Sequence, residues 1–243
     1  MLFPEANLFP TVAIQRVIRR DEIGQHRPAL CQDSDGGKWW AKSRDDMLWN
    51  GMLAEATFFA LAQCVGAAVP RAAVADVPDM GWCWLSRHVE YTAHWRDKNP
   101  ESFANADAVG AAVALDALLH NEDRHEANVL VQVLDGTWRL LWWIDADVAA
   151  VSTPAELAAK GLAPPDPRRK HVRGLPISQL HAGAVAAAVA LSRFDKIDEL
   201  AEACTVCARA PATERGRLAA VLRTRLGAAP QIVDAYLDTL WSL

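Results

Sequence analysis

The 243-residue chain has no apolar run approaching the roughly 18 residues needed to cross a bilayer. Its first residues, MLFPEANLFP, lack the basic flank and continuous apolar core of a signal peptide. A cytoplasmic protein with no membrane partner is expected. Positive charge is not in excess: 25 Lys and Arg stand against 30 Asp and Glu, a net charge of −5. That balance excludes a protein drawn to polyanions by its overall charge, so direct nucleic-acid binding is not expected. Cysteine is sparse and unpaired in pattern. The five are odd in number, and Cys204 and Cys207 alone form a C-x-x-C, with no second pair to complete a zinc site or a disulfide framework. Two thiols one turn apart in an Ala-rich helix read as buried apolar side chains.

What is abundant is apolar residue and tryptophan. Half the chain is hydrophobic and charged residues make up 23%, enough to bury one large domain or two small lobes. Of ten tryptophans, seven cluster at Trp39-Trp40, Trp82/Trp84 and Trp138/Trp142/Trp143, all in strand-like stretches, which predicts a sheet core rather than a ligand cage. Residues 11–43 read as strands, with Gly36-Gly37 as a hairpin turn, and two more strands follow at RAAVADV and GWCWLSRHVE. Between them, residues 45–65 read as a helix stopped by Gly66 and Pro70. After a polar stretch near 96–107, ADAVGAAVALDALLH is a further helix, residues 152–176 a Pro-rich basic loop, and the chain beyond Ile177 is helical. The pattern is α+β, an antiparallel sheet with one helix followed by a mainly helical half into which a hairpin is set.

That hairpin, NVLVQVLDGTWRLLWWIDAD, has Asp135-Gly136 as a two-residue turn, which would set Leu134 opposite Thr137 and Asn128 opposite Trp143. Asn128 and Asp145 then meet at its open end, where Asp123 also arrives on the preceding loop. Two carboxylates and an amide form a site of hard oxygen ligands suited to Mg²⁺, with phosphate oxygens completing the shell. Zinc fits less well: His120, Glu122, Asp123 and His125 lack the helical spacing of a zinc-binding His pair, and a metal hydrolase built on them ranks last.

The 45–65 helix carries an apolar stripe of Leu48, Met52, Phe59 and Ala62, and Glu55 falls on it. A carboxylate facing a core needs a cation. In KWWAKS, Lys38, Trp40 and Lys42 share one face of the strand, and Lys42 lies nearer the helix. Lys on a strand, Glu on the next helix, Asp-x4-Asn on a loop and Asp at a strand end are, in that order, what phosphoryl transfer from ATP uses.

DRHEANVLV followed by WWIDAD resembles the catalytic and metal-binding motifs of HipA-like kinases, and is similar to the Asp-Arg-His-x-x-Asn and Ile-Asp elements of phosphoinositide lipid kinases. LAEATFFALAQCVGAAVP resembles the helix and Gly-x-x-x-Pro ending that HipA-like kinases place there, so the likeness covers roughly residues 36–147. The resemblance implies a two-lobed protein-kinase-like fold, with an N-terminal lobe over 1–90 and a helical C-terminal lobe over 91–243. It implies ATP and Mg²⁺ as cofactors, with Asp123 the catalytic Asp, Asn128 a metal ligand, Asp145 the metal-binding Asp in preference to Asp147, and Lys42 with Glu55 the ion pair at the phosphates. His125 would either touch the transferring phosphate or stiffen the loop, and Arg124 would pair a phosphorylated residue or a neighbouring carboxylate. WCWLSRHVE would be the connector meeting the adenine. DEIGQHRPA has Gly24 as its lone glycine, so backbone amides with His26 or Arg27 would hold phosphates there.

The implied activity is ATP-dependent phosphorylation of a protein Ser or Thr, with a regulatory protein as a further partner. A small-molecule or lipid-like alcohol is the alternative acceptor. A non-catalytic nucleotide-binding module is the alternative from another class. Thr11, Ser34 and Ser43 lie near enough to the phosphate loop to be self-acceptors. The basic run RRKHVR at 168–173 reads as a solvated loop.

Overall fold

The computed structural model describes residues 8–21, 27–48, 50–91, 93–95, 102–134, 138–167 and 174–241. The N-terminal part is a five-stranded antiparallel sheet of β1 (Ile14–Arg20), β2 (Ala29–Asp33), β3 (Lys38–Ser43), β4 (Ala72–Val77) and β5 (Gly81–Arg87), in the order β1-β2-β3-β5-β4. Gly36 supplies the left-handed residue of the β2–β3 turn at φ 81°. In β3, Lys42 lies opposite Trp84 and Trp40 opposite Ser86, so Lys42 and Trp40 hang from the same face of the sheet.

Under that face runs α1 (Gly51–Val65), buried at every position from Gly51 to Ala62. Phe59 packs edge-on against Trp84 with ring centroids 6.0 Å apart. The helix begins six residues later than expected. Ser43 caps a single 3-10 turn over Arg44–Asp46 by accepting from the Asp45 amide, and the chain bends again before Gly51. Leu48 therefore lies outside the helix and is 39% exposed, instead of lying on its apolar stripe. The stop is where the sequence puts it, at Gly66 with φ 66°.

A second antiparallel sheet joins β6 (Ala93–His94), β7 (Val129–Leu134) and β8 (Trp138–Trp143). Its short β6 was not foreseen. The hairpin register differs by one residue from the expected one: Leu134 pairs with Trp138 and Val129 with Trp143. Residues 135–137, with the expected Asp135-Gly136 turn, lie outside the described residues. The Ile144 amide donates to the Asn128 carbonyl at 3.1 Å, so Asn128 and Asp145 still come to the same end of the hairpin.

The helical part comprises α2 (Ala106–Leu118), α3 (Pro154–Ala159), α4 (Ile177–Ser192), α5 (Ile197–Cys207), α6 (Ala212–Gly227) and α7 (Ala229–Trp241). The expected loop at 152–176 thus contains a short helix, which Pro154 favours at its first position. α2 and α4 cross so closely that a Cβ on Gly110 would stand 2.2 Å from the Leu180 carbonyl oxygen, and one on Gly183 2.2 Å from that of Asp107. One hydrophobic cluster runs from Phe9 through α1 and α2 to Leu237. Trp84, Trp95 and Trp143 are buried in it. Among the described residues no helix is long and apolar enough to cross a membrane. The basic run at 168–173 lies outside the described residues.

Candidate active site

Lys42 is the centre of the site. Its Nζ donates to Asp145 Oδ1 at 2.6 Å, Glu55 Oε1 at 2.8 Å and Asp147 Oδ2 at 3.1 Å. β3 supplies the ammonium, the second turn of α1 supplies Glu55, and the segment after β8 supplies both aspartates. Gly51, one turn before Glu55, lets the helix close on that segment, since a Cβ there would lie 3.1 Å from Asp147 Cβ and from its carbonyl oxygen. Asp145 turns into the site through a left-handed conformation, φ 64°. This brings it and Asp147 to one ammonium, where the sequence reading chose between them.

Burial would depress the Lys42 pKa, but the three carboxylates, Asp145 foremost, hold it well above the ordinary lysine value. Burial would raise Asp145, and the Lys42 charge instead keeps it below the usual carboxylate range. Asp147 goes the other way. Its burial, reinforced by the charges of Asp145 and Glu55, outweighs Lys42 and raises its pKa. Three carboxylates facing one ammonium leave a surplus of negative charge. Glu55, Asp145 and Asp147 each offer an oxygen within 4.8 Å of the others, an all-oxygen set that fits a hard divalent cation. Asp145 is a third exposed and Asp147 is buried.

Asp123 lies on the loop after α2. Its amide donates to Asn121 Oδ1 at 3.1 Å, and Asn128 Nδ2 donates to its carbonyl at 3.3 Å. His125 accepts from the Ala127 amide through Nδ1 at 3.3 Å, capping the short 3-10 turn over Glu126–Asn128, while its Nε2 stands 4.0 Å from Asp123 Oδ2. His94 reaches the same turn, Nδ1 to the Ala127 carbonyl at 2.7 Å. Arg124 finds a neighbouring carboxylate: it pairs with Asp116 of α2 at 2.8 Å, both buried, and donates to the Asn128 and Ile144 carbonyls. The Asp123 loop and the acidic segment are therefore tied together through one guanidinium.

A cavity of about 230 Å³ opens beside Lys42, lined among others by Pro28, Trp40, Ser86, Tyr91, Leu130 and Asp145. Trp40 is thus a cavity wall, contrary to the expectation that all the tryptophan groups are sheet core. Arg27 is exposed at φ 37° and lines a cavity of about 860 Å³ with Arg20, Asp21, Asp45, Asp46 and Asp79; Asp21 also lines the cavity beside Lys42. His26 and Gly24 lie outside the described residues. Ser43 is buried and its hydroxyl donates to the Met80 carbonyl at 2.8 Å, which removes it as an accessible self-acceptor.

His120 and Glu122 bond to each other at 3.0 Å. Among the described residues, His120, Glu122, Asp123 and His125 form no common ligand group. Cys204 and Cys207 are buried free thiols. Arg225 was missed by sequence reasoning. It is 1% exposed and donates to the carbonyls of Ala117, Leu118, Gly161 and Ala163, holding the end of α2 and the segment after α3 in place. Burial lowers its pKa to about 10. The signal was an arginine on the apolar stripe of Leu218, Leu222 and Leu226.

No protein-family model matches the chain, and no curated protein matches it. Its fold is similar to that of a solved kinase. The crystal structure of the Helicobacter pylori proinflammatory kinase CtkA superposes with a TM-score of 0.62 at 11% identity, covering 93% of this chain and 99% of that one. An N-terminal 618-residue fragment of LepB from Legionella pneumophila aligns at TM-score 0.38 and 14% identity, over 83% of this chain and 46% of the fragment. The likeness to CtkA shows a kinase-like fold of mixed α/β architecture.

Proposed function

We propose that the protein is an ATP- and Mg²⁺-dependent kinase of the HipA-like type that phosphorylates a Ser or Thr hydroxyl of a protein. The observation that carries this reading is the Lys42 centre, where a strand lysine is shared by Glu55 of the following helix and by Asp145 beyond the hairpin. In a kinase-like fold that constellation has one economical use, holding a nucleotide's phosphates beside a metal. Residues 1–90 would form the nucleotide-binding lobe and 91–243 the lobe carrying Asp123, with the segment after β5 joining them across the cavity.

Lys42 would hold phosphate oxygens, with Glu55 fixing its direction. Asp145 and Asn128 would hold Mg²⁺, and Asp147 stands close enough to Asp145 to join them. The cation, when bound, neutralises charge on the phosphates and brings the carboxylates and the nucleotide together. Asp123, a quarter exposed at its side chain, would accept the proton of the incoming hydroxyl. His125, bonded to backbone, would stiffen that loop. Arg124 would keep Asp123 and Asp145 at a fixed separation through its carbonyl contacts on both sides.

The test compares the native chain with Asp145→Asn and Asp123→Asn. Mg²⁺-ATP at a hundredfold excess over its dissociation constant stabilises the native chain by about 2.7 kcal/mol. Asp145→Asn loses this rise. Asp123→Asn keeps it but loses phosphate transfer from radiolabelled ATP to protein acceptors. No rise in the native chain would overturn the reading.

A further inference from the structure

Resting on that reading, we propose that Trp40 is the stacking wall for the nucleotide's purine base, and that His88 in its neutral form is the positioning residue that sets the indole. Trp40 is two residues from Lys42 on the same strand and hangs from the same face, so a nucleotide whose phosphates meet Lys42 brings its base along β3 toward the indole. The cavity between them has walls of two origins. Trp40 and Ser86 come from the five-stranded sheet and Pro28 from just before β2, Leu130 and Ile144 come from the hairpin region, and Tyr91 and His94 also line it. Lys42, Glu55 and Asp145 line the same cavity of about 230 Å³, so a base against the indole leaves the phosphates at the Lys42 end.

The indole is held at two points. Its Nε1 donates to His88 Nδ1 at 3.1 Å, and the Arg19 guanidinium lies over the ring 5.2 Å from its centroid. Because Nδ1 accepts that bond, it carries no proton, and a protonated His88 would present a donor where the indole also donates. The charged groups about His88 are Lys38 of β3, Arg19 of β1, Arg87 of β5 and Glu90 of the connector. Three are cations and, with burial acting first, they keep the ring neutral. His88 also donates its own amide to the Lys38 carbonyl at 2.9 Å, which fixes the connector against β3. A rigid indole beside an apolar slot is what a base needs for stacking, and stacking favours the larger purine surface without reading its hydrogen-bonding edge.

The test is isothermal titration calorimetry of the full chain with Mg²⁺-ATP and, separately, Mg²⁺-tripolyphosphate. Trp40→Ala is expected to weaken ATP about 5- to 150-fold, the span that alanine replacement of a base-stacking ring produces. Tripolyphosphate affinity stays unchanged, and Trp40→Phe, which keeps a flat ring, binds ATP close to the native value. Binding of ATP by the native chain that Trp40→Ala leaves intact overturns the inference and spares the kinase reading. Absence of ATP binding by the native chain overturns both. For His88, the native chain loses ATP affinity on acidification more steeply than His88→Asn, whose amide oxygen accepts from the indole at any pH. Protonation of ATP itself is common to both chains and cancels. Parallel pH profiles would remove His88 from the proposal.

Discussion

Asp116 and Arg124 form an ion pair at 2.8 Å in which both side chains are almost wholly excluded from solvent, at 1% and 3%. Asp116 accepts in addition from Asn121 Nδ2 at 2.8 Å and from the Trp143 indole at 2.7 Å. One carboxylate on α2 thereby joins the Asp123 loop to the end of β8.

Removing one side of such a pair strands the other charge in the interior. Arg124→Ala is expected to lower stability by about 3–5 kcal/mol, read by chemical denaturation. Asp116→Asn keeps the shape and loses the charge, so it costs less than Arg124→Ala. Loss of stability within about 1 kcal/mol of native for Arg124→Ala, on the order of a surface substitution, would show that the pair does not tie the Asp123 loop to β8.

The α2–α4 crossing gives a second test. A Cβ at Gly110 or Gly183 meets backbone, which cannot rotate aside as a side chain can. Gly110→Ala is therefore expected to destabilise by about 1–3 kcal/mol, although alanine is the better helix former. Gly216→Ala, with open space at its Cβ, is the matched control and is expected to gain stability by about 0.5–1 kcal/mol.

His120 makes stability depend on pH in a stated direction. Burial first of all lowers its pKa, against the opposing pull of Ala163 and Glu122. With the folded value below the unfolded one near 6.5, the unfolded chain takes up a proton that the native one does not as pH falls. The contribution is present above about pH 6.5 and is lost through the range below it. His120 has φ 53°, which asparagine tolerates, so His120→Asn is the suitable variant. Denaturation midpoints between about pH 7.5 and 5 should fall less steeply for His120→Asn than for the native chain.

The sequence was readable where chemistry dictates pattern. Glu55 on an apolar helix demanded a cation, and Lys42 is the cation it meets. Cys204 and Cys207 read as buried and are. It was less readable where geometry depends on a single residue of offset. The register of β7 on β8 shifts by one residue from the expected one. Helix α1 starts at Gly51 because Ser43 and the bend before Gly51 use up the chain from Arg44 onward, a local competition that periodicity does not register. Asp147 was weighed as a rival to Asp145, whereas a left-handed Asp145 lets both reach Lys42. Arg225 marks the limit: it is buried against carbonyls distant in sequence.

Lys42→Met tests the electrostatics of the site independently of any transfer activity. Methionine keeps much of the stem's length and removes the charge, leaving Glu55, Asp145 and Asp147 facing one another with oxygens within 4.8 Å. In metal-free buffer the variant is expected to lose about 3–5 kcal/mol, the cost of an interior charge whose partner is gone. A divalent cation can stand in for the missing ammonium. Mg²⁺ should therefore raise the melting temperature of Lys42→Met by more than it raises that of the native chain, where the ammonium competes for the same oxygens. Adding Glu55→Gln and Asp145→Asn to Lys42→Met should abolish that difference, because two of the three oxygens then no longer bear charge. Equal responses to Mg²⁺ in the native chain and in Lys42→Met would mean that the three carboxylates do not act together on a cation, and Asp145 would then have to hold metal with Asn128 alone.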